Sequence, residues 1–176
     1  MPLPKIETPQ YELVVPSTGE AVKYRPFLVK EEKILLIALE TEDEKQIINA
    51  VQNIIESCLY SSINARTLAM FDIEFIFLQL RSKSKGEQVD LIFECEECKK
   101  QTPFVLNLNE VIIQRTEGHD KDIKLANNIG VTMRYPSIEM KELFDSEKTD
   151  IENVFESLIM CLESIYDNDQ VYAAKD

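Results

Sequence analysis

A chain of 176 residues that is 44% apolar can build a core, while a formal net charge of −13, from 32 acids against 19 bases, excludes the clustered cations that nucleic acid or an anionic membrane requires. Only 4 glycines and 7 prolines rule out a linker or low-complexity chain, and no apolar run approaches the ~20 residues of a membrane span. The negative charge concentrates in residues 31–60 and 151–176, at −5 each. Such clustering is either a pair of solvated helix faces or a field that steers a basic partner. The opening Met-Pro-Leu-Pro-Lys lacks the basic-then-apolar order of a secretory signal, so the expected setting is a cytoplasm, where four cysteines are thiols or metal ligands rather than disulfides.

Residues 1–10, with three prolines, read as an extended arm. Tyr11 to Val15 and Ala21 to Arg25 flank Pro16-Ser17-Thr18-Gly19 and form a hairpin that Pro26 ends. Val29 to Thr41 reads as a helix whose unbroken run Ile34 to Leu39 is apolar nearly all round, which predicts central burial, with Ile37 in the core. Thr41-Glu42-Asp43-Glu44 fits a capping box for the next helix, Glu44 to Leu59. Ile47, Ile48, Val51, Ile54, Ile55, Cys58 and Leu59 repeat there at helical spacing, which makes Cys58 a core thiol.

After a polar connection over 60–70, Phe71 to Leu80 mixes strand-like and helix-like spacing; we assign a helix that Gly86 ends. Val89 to Phe93 and Pro103 to Leu108 are strands around a cysteine-bearing tip, with Val111 to Ile113 extending the second. A polar loop, Gln114 to Lys121, holds the only histidine, His119. Ile123 to Leu125 and Val131 to Arg134 flank Asn127-Asn128-Ile129-Gly130 as another hairpin. Ser137 caps a short helix to Phe144, and Thr149-Asp150-Ile151-Glu152 opens a final helix, Asp150 to Tyr166. Its stripe Ile151, Val154, Phe155, Leu158, Leu162 and Ile165 packs either on the chain's own core or on a partner; Cys161 borders it as a core thiol.

Cys95-Glu96-Glu97-Cys98 is the sharpest local feature. Two thiolates at this spacing on a turn between strands can point at one ion, as in half of a zinc ribbon. A structural zinc needs four ligands, so Cys95 and Cys98 are candidate ligands of a site that is incomplete in this chain, or free thiols. A redox role is opposed by Glu94, Glu96 and Glu97, whose charges disfavour a thiolate. His119 reads as solvated, no serine–histidine–aspartate arrangement is recognisable, and no glycine-rich phosphate cradle exists, so neither catalysis nor nucleotide binding is expected. Tyr24, Arg25 and Phe27 place aromatics beside a base: either a strand end closing over the core or a partner-docking edge.

Three segments carry a family resemblance: LPKIETPQYELVVPSTG at 3–19, KYRPFLVKEEKILL at 23–36 and FDIEFIFLQLRSKSKGE at 71–87, followed by FECEECKK at 93–100. Together they resemble the baseplate hub assembly proteins of T-even-type contractile-tail phages, over residues 3–165. The resemblance implies a hub component or assembly chaperone, with other hub or tail proteins as partners and homo- or hetero-oligomers within reach. It places the protein in the bacterial host cytoplasm during assembly and in the virion tail baseplate. Members of the family look longer, with a second cysteine pair near the C-terminus, and Lys99 replaces the Gly usual after the second Cys of such knuckles.

The sequence therefore predicts an α+β fold, helices packed with small antiparallel hairpins, one carrying a zinc-ribbon-like CxxC knuckle over about 87–113. It predicts one domain over 11–166 and an acidic tail over 167–176. Function is expected through protein contact, at Tyr24, Arg25, Phe27, Leu158 and Leu162, without catalysis; a zinc-knuckle adaptor of non-phage origin is the alternative.

Overall fold

The computed structural model describes residues 8–61, 63–114, 116–125, 128–138, 140 and 149–174. Their fold is α+β, with four helices among the described residues and antiparallel sheets of two, two and four strands. Chain contacts group into two compact units, Met1–Ala65 with Phe71–Ile113, and Arg66–Met70 with Gln114–Asp176.

In the first unit, β1 (Tyr11–Val14) pairs with β2 (Ala21–Tyr24) from Tyr11↔Tyr24 to Val14↔Ala21. Leu13, Val15, Val22 and Tyr24 point inward while Glu12 and Lys23 point out, the alternation of a half-buried ribbon. Gly19 closes the turn at φ 73°, a conformation that costs glycine little. The turn is tied down from below. Asp72, fully buried, accepts hydrogen bonds from the Ser17 N–H at 2.9 Å and the Ser17 hydroxyl at 2.5 Å.

α1 (Val29–Glu40) starts where the Glu31 carboxylate reaches back to accept the Leu28 N–H at 2.8 Å. α2 (Glu44–Cys58) turns Ala50, Ile54, Ile55 and Cys58 inward, as its periodicity predicts. α3 (Met70–Lys85) is a helix, contributes Ile73, Ile76 and Leu80 to the core, and ends at Gly86 with φ 105°. β3 (Gln88–Glu94) and β4 (Gln101–Asn107) form a regular seven-pair hairpin, from Gln88↔Asn107 to Glu94↔Gln101.

Three expectations for this unit need correction. α1 is not central: only Glu31 and Ala38 are buried, and Ile34, Leu36, Ile37 and Leu39 are exposed, because one flank of the helix already suffices to pack on α2. The capping box does not start at Thr41, which instead closes α1, its hydroxyl donating to Ala38 O at 2.7 Å. Glu42 takes a left-handed φ of 54°, and this extra residue of turn makes Asp43 the cap, its carboxylate accepting the Lys45 N–H at 2.9 Å. Nor does Val111–Ile113 extend β4, since the chain leaves the ladder through a 3-10 turn at Leu108–Glu110 that buries Leu108.

The second unit centres on a sheet ordered β5-β6-β7-β8: β5 (Asp122–Lys124), β6 (Gly130–Met133), β7 (Leu162–Tyr166) and β8 (Val171–Ala173), all antiparallel. Gly130 is required in β6 by its cross-strand partner, for a Cβ there would run into the ring of Tyr166. Between β6 and β7 lies α4 (Asp150–Cys161), opened by the expected capping box. The Thr149 hydroxyl oxygen accepts the Glu152 N–H at 3.3 Å and Glu152 accepts the Thr149 N–H at 2.9 Å.

α4 stops at Cys161 rather than Tyr166. Leu162-Glu163-Ser164-Ile165-Tyr166 also alternates with period two, and two strand neighbours, β6 and β8, satisfy its backbone better than one more helical turn. Val171–Ala173, within the expected acidic tail, is paired as β8. Most of the short helix expected from Ser137 to Phe144, like most of the N-terminal arm, lies outside the described residues.

Candidate functional site

The sequence-predicted partner residues divide sharply. Tyr24 is 2% exposed and Phe27 8%, so both rings pack inside the first unit, where they offer no surface to a partner while that packing holds. Arg25 is spent internally as well: its guanidinium donates to Glu31 at 2.8 Å, to Pro26 O at 3.0 Å and to Ser57 O at 3.0 Å. Burial alone would raise the Glu31 carboxyl, but the Arg25 guanidinium and the Leu28 N–H outweigh it and hold it below the usual carboxylate range. This strand end closes over the core. Leu162 is half-buried in β7, apart from the helical stripe it was expected to extend.

Leu158, by contrast, is 52% exposed, and it has company. Ile151, Val154, Phe155 and Ile159 are all exposed on α4, whereas Asn153, Glu156, Ser157 and Met160 are half-buried and Cys161 is buried. The helix thus turns its polar flank inward and its apolar stripe toward solvent, the reverse of an ordinary surface helix. α1 does something similar with Ile34, Leu36, Ile37 and Leu39. The α1 face was missed from sequence because apolar residues all round a helix read as burial. The telling signal was geometric, since a 12-residue helix that packs on one neighbouring helix cannot bury every side.

The third exposed region is the β3–β4 tip. Cys95 and Cys98 are exposed free thiols. The turn is closed by Cys95 N–H to Lys100 O at 3.0 Å and Lys99 N–H to Cys95 O at 2.9 Å, with Lys99 at a left-handed φ of 56°. The Cys95 sulfur accepts backbone N–H groups from Cys98 and Glu97 and hydrogen-bonds the Cys98 thiol, and these donors hold its pKa below the ordinary thiol value. Among the described residues no cluster of three or more His, Cys, Asp or Glu able to hold a metal forms. Ile92, Phe93, Phe104 and Val105 flank the tip, all exposed, with Phe93 and Phe104 edge-to-face at 5.7 Å.

The other two cysteines are core thiols, as expected. Burial pushes Cys58 up to about 11 and also raises Cys161, which makes both poor nucleophiles. His119 lies exposed in its loop, stacked on Tyr135 with its Nε2 2.9 Å from the tyrosine oxygen. No helix of the described residues is long and apolar enough to cross a membrane.

Compared with known proteins, residues 8–176 match the model of a family described as T4 bacteriophage base plate protein. No curated protein and no solved structure matches the chain.

Proposed function

The chain belongs to the T4 bacteriophage base plate protein family, and from that membership we propose that it serves in building the central hub of the tail baseplate, as a structural component or assembly factor. It acts by protein–protein contact, without turnover and without a nucleotide. Its partners are other hub or tail proteins, met in the cytoplasm of the bacterial host and carried into the tail. Membership speaks for a phage role over an adaptor of non-phage origin.

The observation that carries this reading is the outward stripe on α4. Five large side chains, Ile151, Val154, Phe155, Leu158 and Ile159, stand in water on one helix. Each is worth about 1.5–3 kcal/mol when fully buried. A groove on a partner that takes such a helix recovers much of that energy, and helix-in-groove docking reads just this spacing of anchors. Leu158→Lys should abolish co-purification with other base plate proteins of the same phage, while the isolated protein still melts cooperatively. Unfolding of the variant would make the stripe core after all. A folded variant that still co-purifies would remove α4 as the docking element.

A further inference from the structure

Cys95 and Cys98 stand at the apex of a seven-pair hairpin, in a turn closed by Cys95 N–H to Lys100 O and Lys99 N–H to Cys95 O. Lys99 adopts φ 56°, a conformation that costs a lysine more than a glycine, and bends the chain back toward β4 directly after Cys98. Such a turn is a built bidentate thiolate ligand for a soft, tetrahedral ion, which in a cell means zinc. It supplies two of four ligands, and no third gathers near it among the described residues.

We propose that Cys95 and Cys98 of two copies of this chain share one Zn2+, so that the hairpin tips join in a metal-bridged pair. Three observations favour a second copy as the source of the missing ligands. An identical tip presents the same two thiols in the same geometry, and a two-fold axis through the ion closes a four-thiolate site with no new residue type. The tip is exposed, so no part of the described chain blocks its approach. Phe93 and Phe104, edge-to-face on one side of the hairpin, are large, apolar and in water, and a facing hairpin would cover them.

The charges near the tip make the association depend on the ion. Glu94, Glu96 and Glu97 outnumber Lys99 and Lys100, so two bare tips repel, and thiolate formation sharpens the repulsion. Binding balances as two Cys pairs losing their thiol protons to solvent while one Zn2+ takes four sulfurs; nothing is oxidised or reduced. The bridge supplies a homotypic contact in addition to the α4 docking face and does not depend on it.

The test uses the 176-residue protein under a thiol reductant, with Zn2+ or with EDTA, read by light scattering and by metal analysis. With Zn2+ the mass should double from 20.3 kDa, with one zinc for every two chains, and EDTA should reverse both. Substituting Co2+ should give the intense visible bands of tetrahedral thiolate coordination. Cys95→Ser with Cys98→Ser should stay monomeric and metal-free with an unchanged circular dichroism spectrum, since the tip supports no core. One zinc bound per monomer would overturn the shared site, as would a dimer that survives EDTA and the double substitution, or failure to retain zinc after dialysis.

Discussion

Ile37 and Ile54 lie on neighbouring helices and look alike in sequence, yet a lysine should treat them oppositely. Ile54 is 1% exposed in α2, whereas Ile37 is 53% exposed in α1. Ile54→Lys removes a fully buried side chain, worth ~1.5–3 kcal/mol, and buries an ammonium with no acceptor, which costs several kcal/mol more. The sum approaches the ~5–15 kcal/mol stability of a whole domain, so the variant should be largely unfolded. Ile37→Lys forfeits only about half of one burial, ~1 kcal/mol. Its charge falls in the last turn of α1, which has no base, and recovers ~0.3–1 kcal/mol from the helix dipole. The net cost should be at most about 1 kcal/mol. Urea unfolding followed by far-ultraviolet circular dichroism measures both. Equal losses at the two positions would refute the exposed placement of α1, and with it the second apolar face.

Asp72→Ala should cost about 2–4 kcal/mol in the same assay, because it strands the Ser17 N–H and hydroxyl beneath the β1–β2 turn. Adding Ser17→Ala to that variant should change little further; full additivity would mean that the two side chains do not act together. Gly130→Ala should destabilise by about 1–3 kcal/mol through displacement of the Tyr166 ring, and Tyr166→Ala should remove most of that penalty in a double-mutant cycle. Glu31 has its folded pKa below its unfolded value, so its contribution is present above pH ~4.3 and lost as pH falls through the lower folded value. Melting temperatures from pH 6 to 3 should fall less steeply for Glu31→Gln than for the unchanged protein, and parallel slopes would show that the Arg25 pair does not act this way.

What the sequence shows clearly is what short-range physics decides. α2 is legible almost to the residue because its apolar positions fall on one face, and both outer hairpins announce themselves through turn residues. Elements whose pattern admits two answers were settled by neighbours far along the chain. Leu162 and Ile165 continue the spacing of α4 but also alternate as a strand, and pairing with β6 and β8 decides for the strand. Thr41 and Asp43 can each cap α2, and the left-handed turn at Glu42 chooses Asp43. For the candidate sites, Cys95 and Cys98 are visible as a motif, whereas the left-handed turn at Lys99 that follows them is not. The direction in which an apolar stripe faces is also not written in its periodicity: α2 and α4 share the pattern, one buries it and the other displays it.

β7 lies between two partners of very different reach. Residues 167–170 close the β7–β8 hairpin, where the Asp167 N–H donates to Gln170 O at 3.0 Å and its carboxylate accepts the N–H groups of Asp169 and Gln170, each at 2.8 Å. β6 meets β7 only across the excursion 134–161, which carries α4. At ~0.6 kcal/mol per doubling of loop length, the longer closure starts roughly 1.7 kcal/mol behind the shorter. Synthesis adds a second delay, since α4 leaves the ribosome before the strand that pins its far end. For that interval the helix is tethered at one end, with its apolar stripe open to whatever chain is nearby. A partner present during translation would capture a pivoting helix, whereas one arriving later would meet it clamped in place.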